Sequence, residues 1–291
     1  MREFSYLELG ATLFIPATHK HLEAIILENK YPELKSVVID LEDSIDDEQT
    51  QEAYERVKQL LEGYKPKKLL VFIRPKNIAM LEQLLFLKGI LNIDGFVLPK
   101  FSLTNAKAYL EFLEPFKFFV MPSIEAKELF NLNSLIELRE IILASSVNIK
   151  LIRFGLEDML SQLKMKRPSN KTYFKLSSVS YVVGSFIATF KSAGFAISGG
   201  VYPYFNDTQG FLKEVQKELE EGLFSKTIIH PNQIKPLHDL YKVSQKEFNE
   251  ALYIMENNHN VSSYDGKMVE RKTQLNNAQE IVLRAEVYGV V

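Results

Sequence analysis

Eight short, nearly continuous apolar runs, each followed by a stretch with helical spacing, constrain this chain more than any other feature. They cover residues 11–17 (ATLFIPA), 36–43 (SVVIDLED), 69–75 (LLVFIRP), 95–101 (GFVLPKF), 116–125 (FKFFVMPSIE), 150–158 (KLIRFGLED), 196–204 (AISGGVYPY) and 226–233 (KTIIHPNQ). A strand with one wet face alternates apolar and polar residues, whereas a strand covered on both faces does not. These runs therefore predict a parallel sheet flanked by helices. Helical patterns fill the gaps at 48–63, 77–92, 104–114 and 207–222. In the last, Phe211, Leu212, Val215 and Leu219 mark an apolar face and Gly222 a cap. Eight strand–helix units predict an α/β fold, a closed (β/α)8 TIM barrel. An open doubly wound sheet is the alternative, but Pro16-Ala17-Thr18-His19-Lys20 after the first run offers no glycine-rich phosphate turn.

The chain has 291 residues, more than the roughly 250 of a typical barrel. A helix is expected over 244–257. Residues 264–267 (YDGK) read as a turn and 279–288 as a helix. The expected organisation is a catalytic barrel over 1–259 and a helical C-terminal extension over 260–291 that covers the barrel mouth. No cysteine is present, which excludes disulfides, thiolate metal sites and a cysteine nucleophile. A net charge of −2 without a basic block argues against nucleic-acid or membrane-surface partners. The opening Met1-Arg2-Glu3-Phe4-Ser5-Tyr6 is not an apolar leader, and no run reaches the roughly 18–20 apolar residues of a membrane span. A cytoplasmic protein is expected.

Most runs end in a chemically useful side chain, and in a barrel all those ends surround one mouth. The second run ends in Asp40, Glu42 and Asp43, the third in Arg74, the fourth in Lys100, the fifth in Glu125, the sixth in Glu157 and Asp158, and the eighth in His230. Arg74 presents either a planar fork for a substrate carboxylate or a structural ion pair to the Asp40 cluster. Glu125 and Asp158 match the one or two carboxylates that magnesium takes from protein, or else are charges at helix N-termini. Asp40, Glu42 and Asp43 read as support around the site. His230 is an acid–base candidate, with a bracing role for its loop favoured. Lys100 is expected to balance charge or contact substrate rather than form a Schiff base. His19 and His21 show no metal-ligand spacing.

These motifs, in order LFIPAT, VVIDLEDSI, VFIRP, GFVLPKF, PSIEA, RFGLEDML, GFAISGGVY, GLFSKTIIHPNQI and YDGKMVE, resemble the citrate lyase beta-subunit and HpcH/HpaI aldolase superfamily across nearly the whole chain. LGATLFIPATHKHL and ATFKSAGFAISGG look like a bacterial subgroup of carbon–carbon bond lyases that occurs near tellurite-resistance and stress genes. The resemblance implies a magnesium-dependent lyase or aldolase acting through a metal-stabilised enolate. Its substrate would be a small 2-oxo or 3-hydroxy acid, or the acyl-coenzyme A thioester of one. It places the metal on Glu125 and Asp158, the substrate carboxylate on Arg74, and the DLED acids Asp40, Glu42 and Asp43 near the site. Asp265 falls where relatives carry an aspartate that reaches a neighbouring subunit, which implies a homo-oligomer. The chain departs from many relatives at Gly10-Ala11-Thr12, where they carry an arginine, at Pro16-Ala17 in place of PG, and at Gln162 in place of a second acid. These departures bear on coenzyme A use and motivate the alternative of a barrel kept as a binding or regulatory protein.

Overall fold

The computed structural model describes residues 3–169 and 171–291. Met1 and Arg2, read above for the absence of a leader, lie outside the described residues. The chain divides into two compact units, residues 1–234 and 235–291.

The first unit is a parallel barrel. Its strands are β1 (Ala11–Pro16), β2 (Ser36–Asp40), β3 (Leu70–Arg74), β4 (Gly95–Leu98), β5 (Phe119–Ile124), β6 (Asn148–Ile149), β7 (Leu151–Phe154), β8 (Ala196–Ile197) and β9 (Lys226–Ile228). The hydrogen-bonded order runs β8-β7-β5-β4-β3-β2-β1-β9, with β6 also on β5. β6 and β7 are two parts of one stave. The ends of the order meet: Phe224 N–H donates to Ile197 O at 2.9 Å, Gly199 N–H to Ser225 O at 2.7 Å, and Gly199 bridges Lys226 in parallel. Eight staves thus close the ring, as the eight runs predicted, and the doubly wound alternative falls away.

Register decides which residues look inward. Thr12 pairs with Ser36, Val38 with Phe72, Asp40 with Arg74, Gly95 with Phe119 and Val97 with Met121. Paired residues of parallel strands share a face, and faces alternate with period two. One inner set is the cluster Val38, Leu70, Phe72, Val97, Phe119, Met121 and Leu151, with Leu9 and Phe4 from the N-terminal segment packed against it. Burying each large side chain here contributes roughly 1.5–3 kcal/mol. One step further along the same faces stand Asp40, Arg74 and Ser123, and Glu125 follows one step beyond Ser123. The apolar floor and the polar mouth are therefore successive layers of one alternation.

Helices α2 (Thr50–Gly63), α3 (Ile78–Leu85), α4 (Ala106–Leu113), α5 (Leu132–Leu143), α7 (Ser177–Lys191) and α8 (Thr208–Glu220) lie between strands, as do the short α1 (Leu22–Ile26) and α6 (Leu156–Gln162). The pattern at 77–92 is not one helix. It breaks after Leu85, and a 3-10 turn at Ile90–Asn92 follows Gly89, whose φ of +87° a side chain would resist.

Ile234 begins α9 (Ile234–Leu240), a helix the sequence reading did not separate from its surroundings. In the second unit the expected 244–257 helix is α10 (Gln245–Glu256), N-capped by the Ser244 hydroxyl. It packs on α11 (Arg271–Tyr288) around Ala251, Ile254, Val269 and Ala278. The 264–267 turn joins an antiparallel hairpin, β10 (Val261–Tyr264) and β11 (Lys267–Glu270), with positive φ at both Asp265 and Gly266, the two-residue turn that matches strand twist. The expected boundary at 259/260 thus falls inside this unit. Among the described residues no helix is long and apolar enough to cross a membrane.

Candidate active site at the barrel mouth

A cavity of about 440 Å³ opens at the strand C-termini; Asp40, Arg74, Glu125, Arg153, Glu157 and Asp158 are among the residues that line it. The topology therefore brings together acids and cations from staves β2, β3, β5 and β7 that are far apart in sequence.

Arg74 is nine-tenths buried at the end of β3 and surrounded by acids. Its Nε and Nη2 donate to the two oxygens of Asp40 at 2.6 and 2.7 Å, a bidentate fork, and Nη1 reaches Glu42 at 3.0 Å and Asp43 at 3.1 Å. These carboxylates hold its pKa above the usual arginine value, against the opposing cost of burial. Asp40 also accepts the backbone N–H groups of Glu42 and Ser44, so its oxygens are fully engaged. The ion-pair reading of Arg74 is the one this geometry favours.

Lys100 follows β4 with a left-handed φ of +47°. That conformation points its backbone N–H at Glu125 Oε1, 2.6 Å away, while its ammonium pairs with Glu42 and, at 3.3 Å, Asp43. Burial lowers its pKa, and the hydrogen bond and charge of Glu42 more than reverse this, so the amine stays protonated. That suits charge balance and not a Schiff base. Glu42 is itself pushed up, first by burial and then by its hydrogen bond with Asp43.

Glu125 stands directly after β5, 4% exposed, and takes Ser123 Oγ–H on Oε2 at 2.8 Å. Burial raises its pKa, and the charge of Asp158 adds to this. Asp158 is not at the strand end proper but in the first turn of α6, so it faces the cavity from a helix N-terminus. Burial, then the charge of Asp43, raises its pKa too. Among the described residues neither acid has a cation within ion-pair distance. Gly155 makes room for Glu125 beside the start of α6: a Cβ there would lie 2.4 Å from Glu125 Cβ and 2.5 Å from Oε2. Gln162, the departure noted above, donates to the backbone oxygens of Glu125 at 2.7 Å and Asp158 at 3.2 Å. Its amide ties the two acidic segments to each other.

A buried acid, Glu125, and a half-buried one, Asp158, that face one cavity with no cation within ion-pair distance among the described residues fit a divalent cation. Magnesium needs only one or two protein carboxylates and keeps water or substrate oxygens elsewhere. No third aspartate, glutamate, histidine or cysteine joins them in a metal-binding group among the described residues.

His230 does not line this cavity. It stacks on Phe205 at 4.7 Å, and its Nδ1 accepts the Asn232 N–H at 3.2 Å, bracing the turn that follows β9. His19 similarly accepts the N–H of His21 at 3.2 Å. Asp265 lies in the second unit, exposed at its hairpin tip and paired with Lys246 at 2.6 Å. Arg153, which sequence reasoning passed over, lines the cavity from β7. It hides inside the apolar run LIRF, and a bulge turns it inward. The register slips by one residue between Val120↔Ile149 and Ser123↔Arg153. Without the slip, Ile152 would oppose Ser123 and Arg153 would face the helices.

Comparison with known proteins agrees with this architecture. A family model described as a C-C bond lyase of the TIM-barrel fold matches residues 3–290. Citrate lyase subunit beta of Escherichia coli strain K12 is 30% identical over 146 residues, 48% of this chain and 46% of that protein. Its Haemophilus influenzae counterpart is 29% identical over 126 residues, 41% of this chain and 42% of that protein. The matched stretch thus spans less than half the length of these relatives. CitE of Mycobacterium tuberculosis, solved with magnesium, acetoacetate and coenzyme A, superposes with a TM-score of 0.70 at 19% identity over 95% of this chain and 98% of that one. RipC of Yersinia pestis superposes with a TM-score of 0.59 at 19% identity over 81% of this chain and 96% of that one. At such identity the superpositions establish a shared fold.

Proposed function

The chain belongs to the family of carbon–carbon bond lyases of the TIM-barrel fold, and from that premise we propose that it is a magnesium-dependent lyase or aldolase acting on a small 2-oxo or 3-hydroxy acid or its acyl-coenzyme A thioester. The observation that carries the reading is the pair Glu125 and Asp158, two acids from adjacent staves that face one cavity without a cationic partner among the described residues. These two would hold the ion. Bound there, magnesium supplies a Lewis acid for the substrate oxygen on which charge gathers as the carbon–carbon bond breaks.

The chain's own groups prepare the cavity for that event. Ser123 Oγ and the Lys100 N–H fix the Glu125 carboxylate. Asp40 locks Arg74, and Lys100 pairs with Glu42 and Asp43, so both cations are held by the acids that follow β2. The phenyl of Phe14, 5.4 Å beneath the Arg74 guanidinium, supplies an apolar wall. Asp265 is proposed to serve the site of a neighbouring copy in a homo-oligomer and to move a proton there; its exposure on the hairpin tip supports this role.

A panel of pyruvate, oxaloacetate, glyoxylate and malyl- and citramalyl-thioesters, assayed with magnesium and after chelation, tests the reading. At least one is cleaved or condensed only with magnesium, and Asp265→Asn lowers that rate with the fold intact. Binding of a partner protein without magnesium, together with no turnover on any of them, would favour the binding-protein alternative.

A further inference from the structure

We propose that Arg153, rather than Arg74, receives the carboxylate of the substrate; this deepens the lyase reading and rests on it only for the nature of the ligand. Arg74 already faces three carboxylates, and with Lys100 included that cluster holds two cations against three acids. A fourth carboxylate brought to it would meet net negative charge.

Arg153 is the opposite case. It is buried, 3% exposed, on an inward position of β7, and it lines the same cavity as Glu125 and Asp158. Its partners are neutral: Thr227 Oγ1 at 3.0 Å, Thr12 Oγ1 at 3.2 Å and the Met121 sulfur at 3.5 Å. Nε has no acceptor, and no acid lies within ion-pair distance of the guanidinium, among the described residues. The Phe14 ring, 5.4 Å away, offers only its π electrons, and that ring is shared with Arg74 at the same distance. Burial, then the charge of Arg74, lowers its pKa to about 9, which leaves it cationic at neutral pH.

A buried charge without a counter-ion is costly, and proteins retain one where something compensates it. Threonine hydroxyls from β1 and β9 orient the fork but cancel none of its charge. An anion entering the mouth does cancel it. The ligand class that follows is a compact acid bound end-on: its carboxylate points down the barrel to Arg153, and its oxo or hydroxyl oxygen stays beside Glu125 and Asp158.

The test compares pyruvate with its neutral isostere pyruvamide by calorimetric titration of the full chain, with and without magnesium. The wild type binds pyruvate more tightly by about tenfold or more, the scale of a hydrogen bond to a charged group. Arg153→Met abolishes that preference and leaves the thermal midpoint unchanged or raised, because a buried uncompensated charge has gone. A purely structural arginine would instead lower the midpoint and spare the preference. Should Arg153→Met not fold, Arg153→Lys carries the test, since it keeps a cation and loses the fork; it binds pyruvate more weakly at an unchanged midpoint. A preference that survives both substitutions, one that follows Arg74→Lys instead, or a wild type that does not distinguish the two ligands overturns the proposal. Arg153-dependent preference without turnover on any acid would leave this site standing while the lyase reading fell. Turnover with an Arg153-independent preference would do the reverse.

Discussion

At the scale of single residues, the site depends on close approaches that charge patterns do not announce. Gly155 is the clearest case. In the sequence it is one letter of RFGLED; in space its missing side chain is where Glu125 packs. Gly155→Ala must push Glu125 aside at a cost of about 1–3 kcal/mol, the usual range for overpacking. It should also remove most of the protein's thermal stabilisation by magnesium, read by melting with and without the ion. A variant that melts like wild type and still responds to magnesium would separate Gly155 from the position of Glu125. The cluster residues Asp40, Arg74, Lys100, Glu125 and Asp158 were legible because each ends a run or opens the next helix. Arg153 was not, because strand parity on the sequence cannot register a one-residue bulge. The outcome for Arg74 was also closed to the sequence, which could not weigh three acids against a free fork.

Individual elements were legible wherever local pattern decides them. The eight runs became eight staves, and Ser244 capped the helix it was expected to start. What stayed hidden were elements set by distant partners. α8 was read from Phe211, Leu212, Val215 and Leu219, yet its buried residues are Phe211, Val215 and two acids, Glu214 and Glu218. They meet Lys226 of β9 at 3.3 and 2.7 Å, and Lys226 also donates to Gly200 O at 2.5 Å; Arg167 pairs with Glu214, and Tyr173 OH donates to Glu218 at 3.1 Å. This ionic knot lies where β8 and β9 close the ring, with no counterpart in local sequence. Burial raises the Glu218 pKa to about 7, Lys226 opposing the rise and Glu214 adding to it. A carboxyl with a raised folded-state pKa contributes stability that is full below its ordinary value of 4.5 and is lost as pH climbs through the folded value. Denaturant unfolding should therefore show stability falling between about pH 5 and pH 7, and Glu218→Gln should flatten that fall. An unchanged profile in the variant would place the titration elsewhere.

For the whole molecule, one ring topology converts scattered strand ends into a single mouth, and the functional reading depends on that convergence. The barrel was legible because both-face burial leaves a signature that survives without any partner sequence. The partition into units was less so: the turn at 264–267 was read locally, but the packing of α10 on α11 arises from tertiary contacts between segments that look independent along the chain. The central claim is that Glu125 and Asp158 share one divalent ion. Titration calorimetry of magnesium into the wild type, Glu125→Gln and Asp158→Asn tests it most directly. One ion per chain should bind the wild type, and binding should be lost in both variants while their circular dichroism stays native. Unchanged magnesium affinity in either folded variant would contradict the account.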